Sequence, residues 1–117
     1  MALPDPALAF ASLSALSDLI RARRLSPVAY VEELLSRIEA LDPALHAFIR
    51  LMPERARAQA QAAESALNSG AQLSPLLGIP YAAKDLFDVK GAPTTAGTRL
   101  LAGNVAQQDS TVVRKLA

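Results

Sequence analysis

Residues 76–98 read LLGIPYAAKDLFDVKGAPTTAGT, and the reading of this stretch decides the fold. Gly78 opens a short apolar run, Ile79-Pro80-Tyr81-Ala82-Ala83, which predicts a buried strand. That strand delivers Lys84, the first lysine of the chain, with Asp85 directly behind it. Leu86-Phe87 adds a second apolar pair, and Asp88-Val89-Lys90-Gly91 predicts a turn. A lysine carried on a buried strand loses hydration, which is a known route from ammonium to general base. The same lysine at a strand end can instead reach its ammonium into water and do no chemistry. The residues of this stretch alone leave both readings open.

Upstream the pattern turns helical. Ser12-Leu13-Ser14 opens a first helix, with Ser14 predicted as the N-cap and Leu16, Leu19 and Ile20 on one face. Arg21, Arg23 and Arg24 crowd its far end, where positive charge suits the helix dipole and a solvated end is the simplest account. Ser26-Pro27 starts a second helix: serine caps, and proline takes the first position, where its missing N–H costs nothing. Leu25 and Tyr30 have the spacing of a hydrophobic staple across that cap. Val28, Val31, Leu34, Leu35, Ile38 and Leu41 continue at helical spacing, and Asp42-Pro43 is expected to stop the helix. A short strand is predicted over residues 45–51, with His46 an exposed edge residue at its start. Pro53-Glu54 begins a third helix with Ala56, Ala60, Ala63 and Leu67 on its stripe, ended by Asn68-Ser69-Gly70. Residues 71–75 read as linker, 91–103 as a long Gly-, Pro- and Thr-rich loop, and Asp109-Ser110-Thr111 as the cap of a last helix. That helix is barely two turns long at Ala117, which reads as a cut chain. Residues 1–11 are expected to be a loose Pro- and Ala-rich arm, ahead of a single incomplete domain over 12–117. The order helix, helix, strand, helix, strand, loop, helix predicts an α/β or α+β fold.

Composition narrows the function. With 117 residues there is room for one domain. Twelve basic against eleven acidic side chains give a net charge of +1, which argues against direct nucleic-acid or anionic-membrane binding. The absence of cysteine removes disulfides, thiolate nucleophiles and cysteine-based metal sites. His46 is the one histidine, so neither a histidine pair nor a histidine-dependent triad is available within these residues. No signal peptide or membrane span is read, and the cytoplasm is the default compartment.

Taken together, Gly78-Ile79-Pro80 with Lys84-Asp85, Asp88-Val89-Lys90-Gly91 and Thr94-Thr95-Ala96-Gly97-Thr98 resemble the amidase signature family. The Ser-capped second helix, the acidic-Pro break, Ala47-Phe48-Ile49, the Ala-rich helix and Asp109-Ser110-Thr111-Val112-Val113 fit the same family. The resemblance implies the N-terminal part of a large mixed β-sheet flanked by helices. It also implies an amidase of Ser–cisSer–Lys type acting on a small-molecule amide, with no metal or organic cofactor. Lys84 would be the general base, taking a proton through a bridging serine from the nucleophilic serine, which attacks the amide carbonyl. Tyr81 and Thr98 are weaker candidates to line the substrate site, with core packing an equal alternative for Tyr81.

Three departures stand beside the resemblance. Thr98 replaces the usual serine, and Ala83 stands where a branched residue is common. No Gly- and Ser-rich stretch able to supply the two serines occurs in these residues. The expectation is therefore an amidase when complete and a silent 117-residue fragment, self-associating or needing a C-terminal portion. Two other readings remain: a non-catalytic assembly or binding module pairing with another subunit, and, more remotely, a Schiff-base lysine.

Overall fold

The computed structural model describes residues 6–70 and 74–117, which fall into two compact units divided after Pro80. Residues 1–5 of the expected arm and 71–73 of the expected linker lie outside the described residues. The elements are α1 (Pro6–Ala9), α2 (Leu13–Arg21), α3 (Pro27–Leu45), α4 (Pro53–Ser69), a 3-10 turn (Arg99–Leu101) and α5 (Thr111–Leu116).

The first unit is built by helix packing. Ser12, not Ser14, caps α2: its Oγ accepts from the Ala15 N–H at 3.2 Å, the bond that requires a cap three residues upstream. Leu16 and Ile20 are buried, with Ile20 fully so, while Leu19 is half-buried. Ser26 and Pro27 begin α3 as predicted, and Ser26 Oγ accepts from the Ala29 N–H at 3.1 Å. The same hydroxyl donates to the Glu64 carboxylate on α4.

Asp42-Pro43 does not end α3. The helix runs through Pro43 to Leu45, because proline interrupts only its own N–H and Asp42 then organises the exit. The Asp42 carbonyl accepts from the His46 N–H at 2.7 Å. Its carboxylate accepts from Ala47 N–H at 2.7 Å and Phe48 N–H at 3.2 Å. His46, at φ 49°, is the left-handed C-cap.

α4 matches its prediction from Pro53 at the first position to Gly70, which turns the chain out at φ 74°. Ala60, Ala63 and Leu67 are its buried stripe. α3 and α4 pack together, and Arg57 makes a two-pronged ion pair with Glu32 at 2.6 and 3.0 Å. Arg23 donates to the carbonyl of Leu67 at 3.0 Å, so one member of the arginine cluster satisfies the end of α4. Ser17, buried on α2, donates to the Pro75 carbonyl at 2.6 Å. Gly78 closes this unit at φ 79°, where a Cβ would stand 2.8 Å from Pro27 Cγ, so no larger residue fits without displacement.

The predicted strands are the main correction. The described residues contain no strand, only an isolated antiparallel bridge between Pro93 and Val105. Residues 45–51 end α3 and continue as irregular chain, and 79–83 run without regular structure. A strand exists only as half of a ladder with a neighbour about 4.8 Å away. The apolar patterning of these segments has no such partner among the described residues. Leu45 and Ile49 are accordingly exposed. No described helix is long and apolar enough to cross a membrane.

Candidate functional site

Lys84 lies in the second unit, and its surroundings are built almost entirely by hydrogen bonds. It is exposed rather than buried, so desolvation by a strand, the expected source of its basicity, is absent here. Its carbonyl accepts from the Leu86 N–H at 2.7 Å and the Phe87 N–H at 3.0 Å, which fixes the backbone in a tight turn. The ammonium has no hydrogen-bond or ion-pair partner among the described residues. The backbone is held and the side chain projects.

The next residue ties this turn to another. The Asp85 carboxylate accepts from the Thr95 N–H at 2.9 Å and from the Thr95 hydroxyl. Its carbonyl accepts from the Ala96 N–H at 3.0 Å. Thr95–Thr98 form a turn closed by a 2.9 Å bond from Thr98 N–H to the Thr95 carbonyl. Ala96 and Gly97, its central residues, both take positive φ, 49° and 75°.

Further bonds close the rest of the unit. The Thr94 hydroxyl donates to the Asp88 carboxylate at 2.6 Å, and the Asp88 carbonyl accepts from the Ser110 N–H at 2.9 Å. Lys90 N–H donates to the Asp109 carboxylate at 2.7 Å. Gly91 N–H reaches the Ala106 carbonyl at 2.9 Å, and Ala106 N–H returns to the Ala92 carbonyl at 3.0 Å. Thr94 and Asn104 are joined twice, at 3.0 and 3.1 Å. Ala92, Ala106 and Val113 are the buried apolar residues among those described in this unit.

Tyr81 is half-exposed, and its hydroxyl donates to the Val113 carbonyl on α5 at 3.3 Å. Thr98 caps the 3-10 turn, its hydroxyl accepting from the Leu100 N–H at 3.3 Å. Both hydroxyls are thus engaged with backbone, and neither bonds to the Lys84 ammonium. The predicted site residues share one unit, but the structure joins them through loops rather than through direct contact. What the sequence did not single out is the pairing of Asp85 with Thr95; the only signal was an acid and a threonine at opposite ends of a Gly- and Pro-bearing loop.

No group of three His, Asp or Glu side chains able to hold a metal occurs among the described residues. An open cleft of about 170 Å³ in the first unit is lined by Ile20, Arg23, Ser26, Glu64, Leu67 and Asn68. It is a packing gap whose polar walls bond to one another.

A family model described as Amidase matches residues 29–117, and the chain belongs to that family. Among curated proteins, a glutamyl-tRNA(Gln) amidotransferase subunit from Anaeromyxobacter dehalogenans is 45% identical over 97 residues, covering 83% of this chain and 20% of that protein. Its counterpart from Acidothermus cellulolyticus is 41% identical over 101 residues, covering 86% and 20%. A solved structure described as "An unexpected vestigial protein complex reveals the evolutionary origins of an s-triazine catabolic enzyme" superposes with a TM-score of 0.87 at 36% identity. The match covers 91% of this chain and 23% of that one. The chain spans about a fifth of the length of the curated relatives it matches.

Proposed function

We propose that residues 12–117 are the lysine-bearing portion of a single amidase domain, with Lys84 the general base of a Ser–cisSer–Lys triad acting on a small-molecule amide in the cytoplasm. The observation that carries this reading is the family match over 29–117, a span that includes every residue of the motif Gly78-Ile79-Pro80 with Lys84-Asp85. A hydroxyl alone is a weak nucleophile, and a neutral lysine is one of the bases able to activate it. The exposed ammonium is consistent with this role if further amidase chain covers it: burial would then supply the desolvation that the 117 residues do not. These residues hold no Gly- and Ser-rich stretch, and a base without its nucleophile forms no acyl-enzyme. The chain by itself is therefore silent and acts together with the rest of an amidase domain.

A second reading, a non-catalytic assembly module, is favoured by one observation. Leu86, Phe87, Leu100, Leu101, Val105, Val112 and Leu116 are all exposed in the unit that spans Tyr81–Ala117, Leu100 at 93%. Such a surface suits association with a partner protein or with a second copy.

One experiment separates the two. This chain replaces the matched fifth of the Anaeromyxobacter protein, and ammonia release from small amides is measured. An amidase role predicts turnover that falls by about a thousandfold or more in Lys84→Ala. Full turnover in Lys84→Ala would leave the assembly role standing and end the catalytic one.

A further inference from the structure

The structure assigns Asp85 as a positioning residue: through its carboxylate it fastens the Thr95–Thr98 turn to the backbone that carries Lys84. The assignment rests on the reading of Lys84 as the base, but its geometry stands apart from that reading. The two segments are ten residues apart in sequence and are joined here at three points. Two are the Thr95 N–H and hydroxyl on the carboxylate, and the third is the Ala96 N–H on the Asp85 carbonyl. On its other side Lys84 is held by its own carbonyl, which takes the Leu86 and Phe87 amides.

An exposed side chain of four methylenes would otherwise sample a wide volume, and its reach is limited only by how firmly its Cα is placed. A carboxylate is suited to the task. It offers two oxygens at a fixed separation, and hydrogen bonds to an ionised acceptor are stronger than neutral ones. Thr95 presents two donors in matching array, one on the backbone and one on the side chain. The Thr95 hydroxyl is in turn oriented because its oxygen accepts from the Gly97 N–H at 3.2 Å. The acid after the lysine therefore works on geometry: its acceptors are directed at Thr95, and it acts on the lysine through the chain rather than as a proton carrier.

The test is made first on the isotopically labelled 117-residue chain, by amide hydrogen exchange. Asp85→Ala is expected to speed exchange at Thr95 and Ala96 by about tenfold or more while the α3 and α4 amides are unchanged. Asp85→Asn keeps one oxygen acceptor and is expected to hold Thr95 within about threefold of the parent. Unchanged exchange in Asp85→Ala would overturn the assignment. So would an Asn variant as fast as the Ala variant, because the charge and not the acceptor geometry would then matter.

The chimaeric amidase supplies the second readout. Asp85→Ala is expected to lower kcat about 10- to 100-fold with KM held, the cost of a displaced catalytic group, and Asp85→Asn to recover most of it. Loss of kcat in Lys84→Ala with none in Asp85→Ala would overturn the positioning role and leave the base intact. Full activity in Lys84→Ala would remove the base, while the exchange result would still decide whether Asp85 holds the turn.

Discussion

The two units of this chain reach order by different physics. In the first, Leu16, Ile20, Tyr30, Val31, Ala60, Ala63 and Leu67 are buried, and helix faces supply the contacts. In the second, three small or medium side chains are buried and the backbone is laced by carboxylates, hydroxyls and carbonyls. Helices satisfy their own polar groups and so need only an apolar stripe to pack. Irregular chain must find each partner separately, which is why Asp, Thr and Asn are concentrated between residues 85 and 109. The candidate catalytic residue sits in the unit whose order is polar, where a single substitution reaches further along the backbone.

That contrast is open to attack by mutation. The largest effect on stability is expected at Ile20, fully buried on α2: Ile20→Ala should cost about 2–5 kcal/mol, read from the urea midpoint. A cost below about 1 kcal/mol would mean that packing does not dominate the first unit. Gly78→Ala comes next, because positive φ and a 2.8 Å approach to Pro27 combine there. About 1–3 kcal/mol is expected, by the same measurement. Thr94→Val in the second unit removes the hydroxyl that donates to Asp88 and should cost about 1 kcal/mol. Its signature is faster amide exchange around residues 88–110 with the α3 and α4 amides unaltered. Exchange that rises equally in α3 and α4 would show that the two units do not respond separately.

The smallest effect is a pH dependence. Burial raises the Tyr30 hydroxyl above its ordinary pKa, and the nearby Glu33 carboxylate adds to the shift. A phenol whose folded pKa is raised contributes stability that is fully present below the unfolded value. That stability is lost as pH rises through the higher folded one, because the unfolded chain releases its proton first. Stability should therefore fall above about pH 10, and Tyr30→Phe should flatten that alkaline limb. An unchanged slope in Tyr30→Phe would assign it to other groups.

What could be read beforehand follows the same division. The starts of α3 and α4 are written in adjacent residues, Ser26-Pro27 and Pro53-Glu54, because capping is local. The exit of α4 at Gly70 is equally local. The cap of α2 falls two residues before the predicted one, because Ser12 and Ser14 both satisfy the pattern and only the bond to Ala15 chooses between them. Strands at 45–51 and 79–83 could not be decided from their own residues, since a ladder depends on a neighbour elsewhere in the chain. At the candidate site, Lys84 was legible as part of an ordered motif. Its exposure and the bonds from Asp85 to Thr95 were not, because both depend on how a ten-residue loop folds back.

Ala96 offers a handle for protein engineering. A residue with a Cβ held at φ 49° carries a conformational cost that glycine would avoid, about 1 kcal/mol or more. Replacing it with glycine relieves that cost in the folded chain but gives the unfolded chain more freedom to lose. The two terms nearly cancel, so the turn can be loosened or tightened with little change in overall stability. A loop beside a reactive group that tolerates such exchange is a place where new specificity can be selected without first unfolding the protein.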